Sequence, residues 1–209
     1  MPLGRCYLCW TSKVLVERDH IPPINLFEEP RPSNLITRPI CLTCHKPTHK
    51  NDEAFRVFVT AHITRNAAAT NLWKTKVVPR TLQEGRIKPF VAAVRKSFRP
   101  AVIRIGDVEL PIGTFRVDAK PINRVLIRLT RGLYSLSAPH IDSRKFQFKI
   151  HMIDPFQLPG RIKFAAQIFN YLSRGKQVYD CWWGLDEADV RHGLWIHVFF
   201  HSVGFAVYH

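Results

Sequence analysis

Four of the five cysteines fall in two matched pairs, Cys6-x-x-Cys9 and Cys41-x-x-Cys44. A CxxC turn places two thiolates on one side of a tight knuckle. Two facing knuckles make a tetrahedral sulfur site suited to zinc. Four sulfurs leave no position for a reacting water, so the Zn²⁺ expected there holds the fold. Cys181, beside Trp182 and Trp183, is left over and reads as a buried core thiol. Further candidates for chemistry are Asp19-His20, Asn34, His45 and His49. His45 and His49 are four residues apart and share a face if both are helical, and an HxxxH pair can bind a metal. The other reading of His49 is a solvated histidine at a helix start.

These residues must be positioned by short elements. Residues 14–21 can form a strand ending in Asp19-His20, which Pro22 and Pro23 stop. Asn34 lies in the connection before a second apolar run, 35–40. From about 44 to 63 the pattern is helical, with Phe55, Phe58 and Val59 at helical spacing and Asp52 and Glu53 early in the helix. Pro47 is tolerable only in a first turn, which marks where that helix begins. The order is knuckle, strand with Asp-His, loop with Asn, short strand, knuckle with His, helix.

That order resembles the HNH endonuclease family, whose ββα-metal fold here carries a four-cysteine zinc. The residues that carry the resemblance are Asp19-His20, Asn34 and His45 between and beside the two cysteine pairs. A bacterial HNH subgroup is more similar still. Its pattern appears as Arg18-Asp19-His20-Ile21-Pro22-Pro23, then Asn34-Leu35-Ile36-Thr37-Arg38-Pro39, then Asn51-Asp52-Glu53-Ala54-Phe55-Arg56. That subgroup often has Asn after the last cysteine, whereas this chain has His45, as in the broader HNH pattern. The match covers residues 1 to about 65, about a third of the chain.

The resemblance implies phosphodiester hydrolysis, with His20 as the general base and Asn34 holding its loop and orienting the imidazole. It gives Asp19 and His45 the binding of one divalent ion, Mg²⁺, Mn²⁺ or a later transition metal, with His49 as a further candidate ligand. The products it implies are a 5′-phosphate and a 3′-hydroxyl. Arg18 and Lys50 stand beside the motif and can contact phosphate.

Lys plus Arg number 31 against 16 Asp plus Glu, a formal charge of +15, which argues for a polyanionic partner, nucleic acid first. The surplus is uneven. Residues 1–65 carry a net +3, 66–100 a net +7 and 101–209 a net +5. The basic connector 66–100 holds Lys74, Lys76, Arg80, Arg86 and Lys88, spaced to neutralise backbone phosphates. Its Trp73, Phe90 and Phe98 either stack on bases or, as isolated aromatics usually do, pack into the core.

The fold expected is α+β. An N-terminal zinc-stabilised ββα-metal domain over 1–65 is followed by the connector and by a mostly antiparallel α+β region over 101–209. That region predicts short strands near 101–105, 108–110 and 114–117, a helix over 121–136, a strand over 146–153 and a terminal antiparallel set at 178–183, 194–200 and 203–208. Residues 162–172 fit either a helix or a strand. The apolar stretch 195–208 is interrupted by His197, His201 and Ser202 and is too short to cross a bilayer. With no long apolar run at the N-terminus and with paired cysteines, a reducing cytoplasm is expected.

Three functions compete on these observations. The first is a metal-dependent DNA endonuclease, with DNA preferred to RNA. The second is a non-catalytic zinc-knuckle module that binds nucleic acid. The third is the nuclease subunit of a multi-protein bacterial defence or guided-cleavage assembly, in which 101–209 positions substrate, forms a homo-oligomer or docks a regulatory protein.

Overall fold

The run that ends in Asp19-His20 forms a strand, as its composition predicts. The structure is a computed structural model, and it describes residues 3–62, 64–83, 87–105, 107–157 and 169–209. Strand β1 (Leu3–Arg5) pairs with β2 (Ser12–Ile21), and β2 pairs with β3 (Ile36–Cys41), all antiparallel. The β2–β3 register sets Asp19 opposite Arg38 and His20 opposite Thr37. A bulge between Leu15 and Glu17 breaks the pairing midway. After β3 the chain turns at once into α1 (Leu42–His45) and then α2 (Thr48–Thr60). Pro47 sits immediately before α2, where its missing N–H costs no helical bond.

Residues 66–100 are helical for most of their length, where the sequence reads as a basic connector. Helix α3 (Ala67–Leu72) starts at Asn66, whose side chain accepts from Ala69 N at 3.0 Å. A π-helical stretch, Trp73–Gln83, contains Pro79, and α4 (Lys88–Ser97) follows. The apolar residues Ala69, Leu72, Val77 and Val91 are buried, so this segment folds down by its apolar side and leaves its charges outside. Strands β4 (Arg99–Ile105) and β5 (Val108–Thr114) form a separate two-stranded ribbon in place of three short strands.

Helix α5 (Ala119–Ser137) begins at Asp118, whose carboxylate accepts from Lys120 N at 2.9 Å. Its buried stripe is Ile122, Val125, Leu126, Leu129 and Leu133, the predicted periodicity. It packs on a five-stranded antiparallel sheet of β6 (Lys149–Ile153), β7 (Asn170–Arg174), β8 (Tyr179–Leu185), β9 (Gly193–Phe199) and β10 (Val203–Tyr208). The spatial order is β6-β10-β9-β8-β7. The undecided stretch resolves at its end as the strand β7, while 162–168 lies outside the described residues.

One apolar cluster joins the small sheet and α2 to α5 and the five-stranded sheet. Ile21 of β2 and Phe55 and Val59 of α2 share it with the α5 stripe and with Phe199 and Phe205 of the sheet. Phe55 meets Phe199 edge to face at 4.9 Å between centroids. Gly132 of α5 lies so close to β2 that a Cβ there would stand 1.9 Å from Ile21 Cδ1. The N-terminal unit and the C-terminal region are therefore welded by a common core. The whole is mixed α+β with antiparallel sheets.

Candidate metal centre and the adjoining acidic pocket

The two knuckles face each other. Cys6 and Cys9 sit in the turn after β1, Cys41 ends β3 and Cys44 lies in α1. Their four sulfurs lie within 4.8 Å of one another. The first knuckle is closed by a 2.8 Å bond from Trp10 N to Cys6 O, and Tyr7 N donates to Pro39 O at 3.1 Å, tying it to β3. Burial raises the thiols of Cys6 and Cys44. Burial works the same way on Cys9, but hydrogen bonds from Thr11, Cys6 and Cys41 outweigh it and lower that thiol to about 6. The cluster is close enough to hold a metal, and four sulfurs suit zinc. Cys181 is buried in β8 with its thiol raised by burial, as a core cysteine is.

Beside this cluster opens a cavity of about 400 Å³. Its walls include Glu17, Asp19, Asp52 and Glu53, together with His20, His45 and His49, and the cations Arg18 and Lys50. Three of the four carboxylates have arginine partners, Asp19 and Asp52 in Arg128 and Glu53 in Arg56, which leaves Glu17 as the acid without one among the described residues. Strand β2 supplies Glu17 to His20, the end of α1 supplies His45, and the first turns of α2 supply His49 to Glu53.

The two acids of β2 face different partners. Asp19 is 5% exposed; its Oδ2 accepts from the Tyr7 hydroxyl, and its Oδ1 accepts from Arg128 Nη1 at 2.9 Å. Arg128, on α5, gives its other nitrogen to Asp52 of α2. A buried and a half-buried carboxylate thus share one guanidinium. Burial raises Asp52 to about 7, against the pull of Arg128. Burial lowers Arg128, but Asp52 and Asp19 more than offset it, and its pKa rises. Glu17, exposed instead, brings its Oε2 to 3.2 Å from His45 Nε2. His45 is buried, and its ring meets the exposed His49 ring edge on, with centroids 4.9 Å apart.

His20 lines the same pocket. Burial lowers its pKa, which keeps the imidazole unprotonated at neutral pH. Asn34 is exposed in the turn before β3 and does not line the pocket. Asn25 does, with its Oδ1 buried and unpartnered. Arg18 and Lys50 are exposed at the pocket; Lys74, Arg80 and Lys88 are exposed along the helical segment and Lys76 is half-buried there. Arg86 lies outside the described residues.

Glu17, Asn25, Asp52 and Glu53 line the pocket although the sequence assigned none of them to the site; Asp52 and Glu53 stand in the motif itself, and Glu17 and Asn25 near it. Arg128 had no such signal, because it lies 109 residues from Asp19 on the flank of an amphipathic helix. No helix among the described residues is long and apolar enough to cross a membrane. No family model, no curated protein and no solved structure matches the chain.

Proposed function

We propose that the chain hydrolyses phosphodiester bonds in nucleic acid, DNA in preference to RNA, in a metal-dependent reaction within this pocket. The observation that carries the reading is the convergence of His20, His45 and His49 with four carboxylates on one cavity beside the four-cysteine cluster. The resemblance of the Asp-His, Asn and His spacing to HNH endonucleases supports it. His20 takes the proton from the attacking water; its lowered pKa leaves it neutral for that task. Arg18 and Lys50, at the rim, meet the phosphate backbone. His45 would hold a divalent ion, which when bound would supply positive charge for the phosphate and the leaving oxygen. The carboxylates and imidazoles of the pocket are the donor set such an ion takes, Mg²⁺ or Mn²⁺ among them.

The test is a cleavage assay on single- and double-stranded DNA and RNA with Mg²⁺, Mn²⁺ or Ni²⁺, wild type beside His20→Ala. Metal-dependent cleavage lost in His20→Ala at unchanged zinc content is the expected result. Cleavage of no substrate with any of these ions refutes the reading.

A second reading is favoured by one observation, the commitment of Asp19 to Tyr7 and Arg128. It is a zinc-knuckle module that binds nucleic acid without cutting it. The same assay separates the two, since this one gives salt-sensitive binding, no cleavage and no effect of His20→Ala.

A further inference from the structure

The carboxylate that the motif offers to a cation is already taken. Both oxygens of Asp19 have partners, in a site that solvent barely reaches, and one partner is a guanidinium. A cation bound at Asp19 would meet the fixed charge of Arg128 and would have to strip it of its partner. Two residues earlier stands a carboxylate without that competitor. Glu17 is 61% exposed at its side chain and points an oxygen at His45 Nε2. His49 reaches the same place from one turn further on, its ring against that of His45. The geometry points to Glu17, His45 and His49 as the set that holds the divalent cation of this pocket, with Arg128 positioning Asp19 as a fixed counter-ion outside that set.

This inference rests on the function proposed above and assigns its cation a ligand set that the motif alone does not give. One carboxylate and two imidazoles form a three-point set that leaves open positions for water and phosphate, and such a set suits Mn²⁺ and its neighbours. The three donors do not close to within 4.8 Å of one another. The two that need to turn, Glu17 and His49, are both exposed. Asp19 then serves the neighbouring His20 by fixing the end of β2 against α5, which is a positioning role.

Mn²⁺ alone is the probe. It is titrated into full-length protein with zinc in the cysteine cluster and followed by calorimetry and by electron paramagnetic resonance of the free ion. Glu17→Gln and His49→Ala are each expected to weaken Mn²⁺ binding tenfold or more with an unchanged circular dichroism spectrum. Asp19→Asn is expected to change it less than threefold while lowering the melting temperature. Should Asp19→Asn misfold, Arg128→Lys, which keeps a cation beside Asp19, is expected to leave the Mn²⁺ affinity within threefold of wild type. Mn²⁺ affinity unchanged in Glu17→Gln overturns the inference, and so does wild-type protein that binds no Mn²⁺. Binding that follows Glu17 without any cleavage sinks the nuclease reading and leaves the ligand assignment standing.

Discussion

Arg128 in the middle of α5 donates a 2.9 Å hydrogen bond to Asp19 near the end of β2, across 109 residues of sequence. The same guanidinium reaches Asp52 in α2. One buried cation therefore joins three elements: the strand that carries His20, the helix that carries His49 and the long helix of the C-terminal region. Whatever the pocket does, it does so as part of the whole chain.

The first prediction concerns that joint. Arg128→Met leaves the buried Asp19 and the half-buried Asp52 without their counter-charge. Removing one partner of a buried ion pair costs about 3–5 kcal/mol, because the charge left behind is uncompensated. Urea denaturation of Arg128→Met should show a loss of that order. Adding Asp19→Asn and Asp52→Asn to it should recover part of the loss, since the stranded charges are then gone. A triple variant no more stable than Arg128→Met would mean that the cost comes from lost packing of the arginine stem.

A second prediction follows from the contact between Gly132 and Ile21. Alanine in place of glycine within a helix normally gains about 1 kcal/mol. Here the new Cβ would fall 1.9 Å from Ile21 Cδ1, and overpacking typically costs about 1–3 kcal/mol. Gly132→Ala should therefore destabilise. Ile21→Val removes the offending Cδ1 at an ordinary cost of about 0.5–1.5 kcal/mol. In the Gly132→Ala background the same change should be neutral or stabilising. A double-mutant cycle in melting temperature reads the coupling, and simple additivity would refute the close approach.

Much of the fold could be read from residue types alone. The paired cysteines announced their cluster because ligand spacing is local. Helix α5 announced itself through a stripe of Ile122, Val125, Leu126, Leu129 and Leu133, and Pro47 marked the start of α2. The partners inside the pocket were not legible. Glu17 reaches His45 past a bulge that interrupts the strand's alternation, and no pattern of types foretells a bulge. Asn25 lines the cavity and Asn34 does not, although spacing made Asn34 the natural choice. The segment 66–100 looked like a linker because a net +7 of the chain's +15 falls within it. Its apolar residues, with Ala69, Leu72, Val77, Ile87 and Val91 buried, nevertheless fold it onto the body.

A third prediction is a pH dependence centred on His197. Its ring is fully buried in β9, between Thr130 Oγ1 at 3.0 Å and the Tyr179 hydroxyl at 2.9 Å. Burial lowers its pKa to about 3, far below the usual 6.5. The unfolded chain takes up this proton first as pH falls. The contribution of neutral His197 is thus complete above about 6.5 and declines as pH drops towards 3. Urea midpoints for wild type should fall between pH 7.5 and pH 4.5. His197→Gln, which cannot titrate, should show a smaller fall over the same interval, whatever its absolute stability.

The last prediction concerns the sulfur cluster. Cys6 follows β1 and Cys41 ends β3, the two outer strands of the small sheet, and Cys44 comes from the helix that carries His45. A metal bound by all four would clamp β1, β3 and α1 at one point, and structural zinc of this kind contributes folding energy outright. The core beneath the knuckles is otherwise small: Cys6, Tyr7, Ile40 and Cys41. Elemental analysis should find one zinc per chain, absent in Cys41→Ser and retained in Cys181→Ser, because Cys181 lies in β8 outside the cluster. A strong chelator should lower the melting temperature of wild type and of Cys181→Ser by similar amounts and leave Cys41→Ser unmoved. Full retention of zinc in Cys41→Ser would show that the ion binds elsewhere.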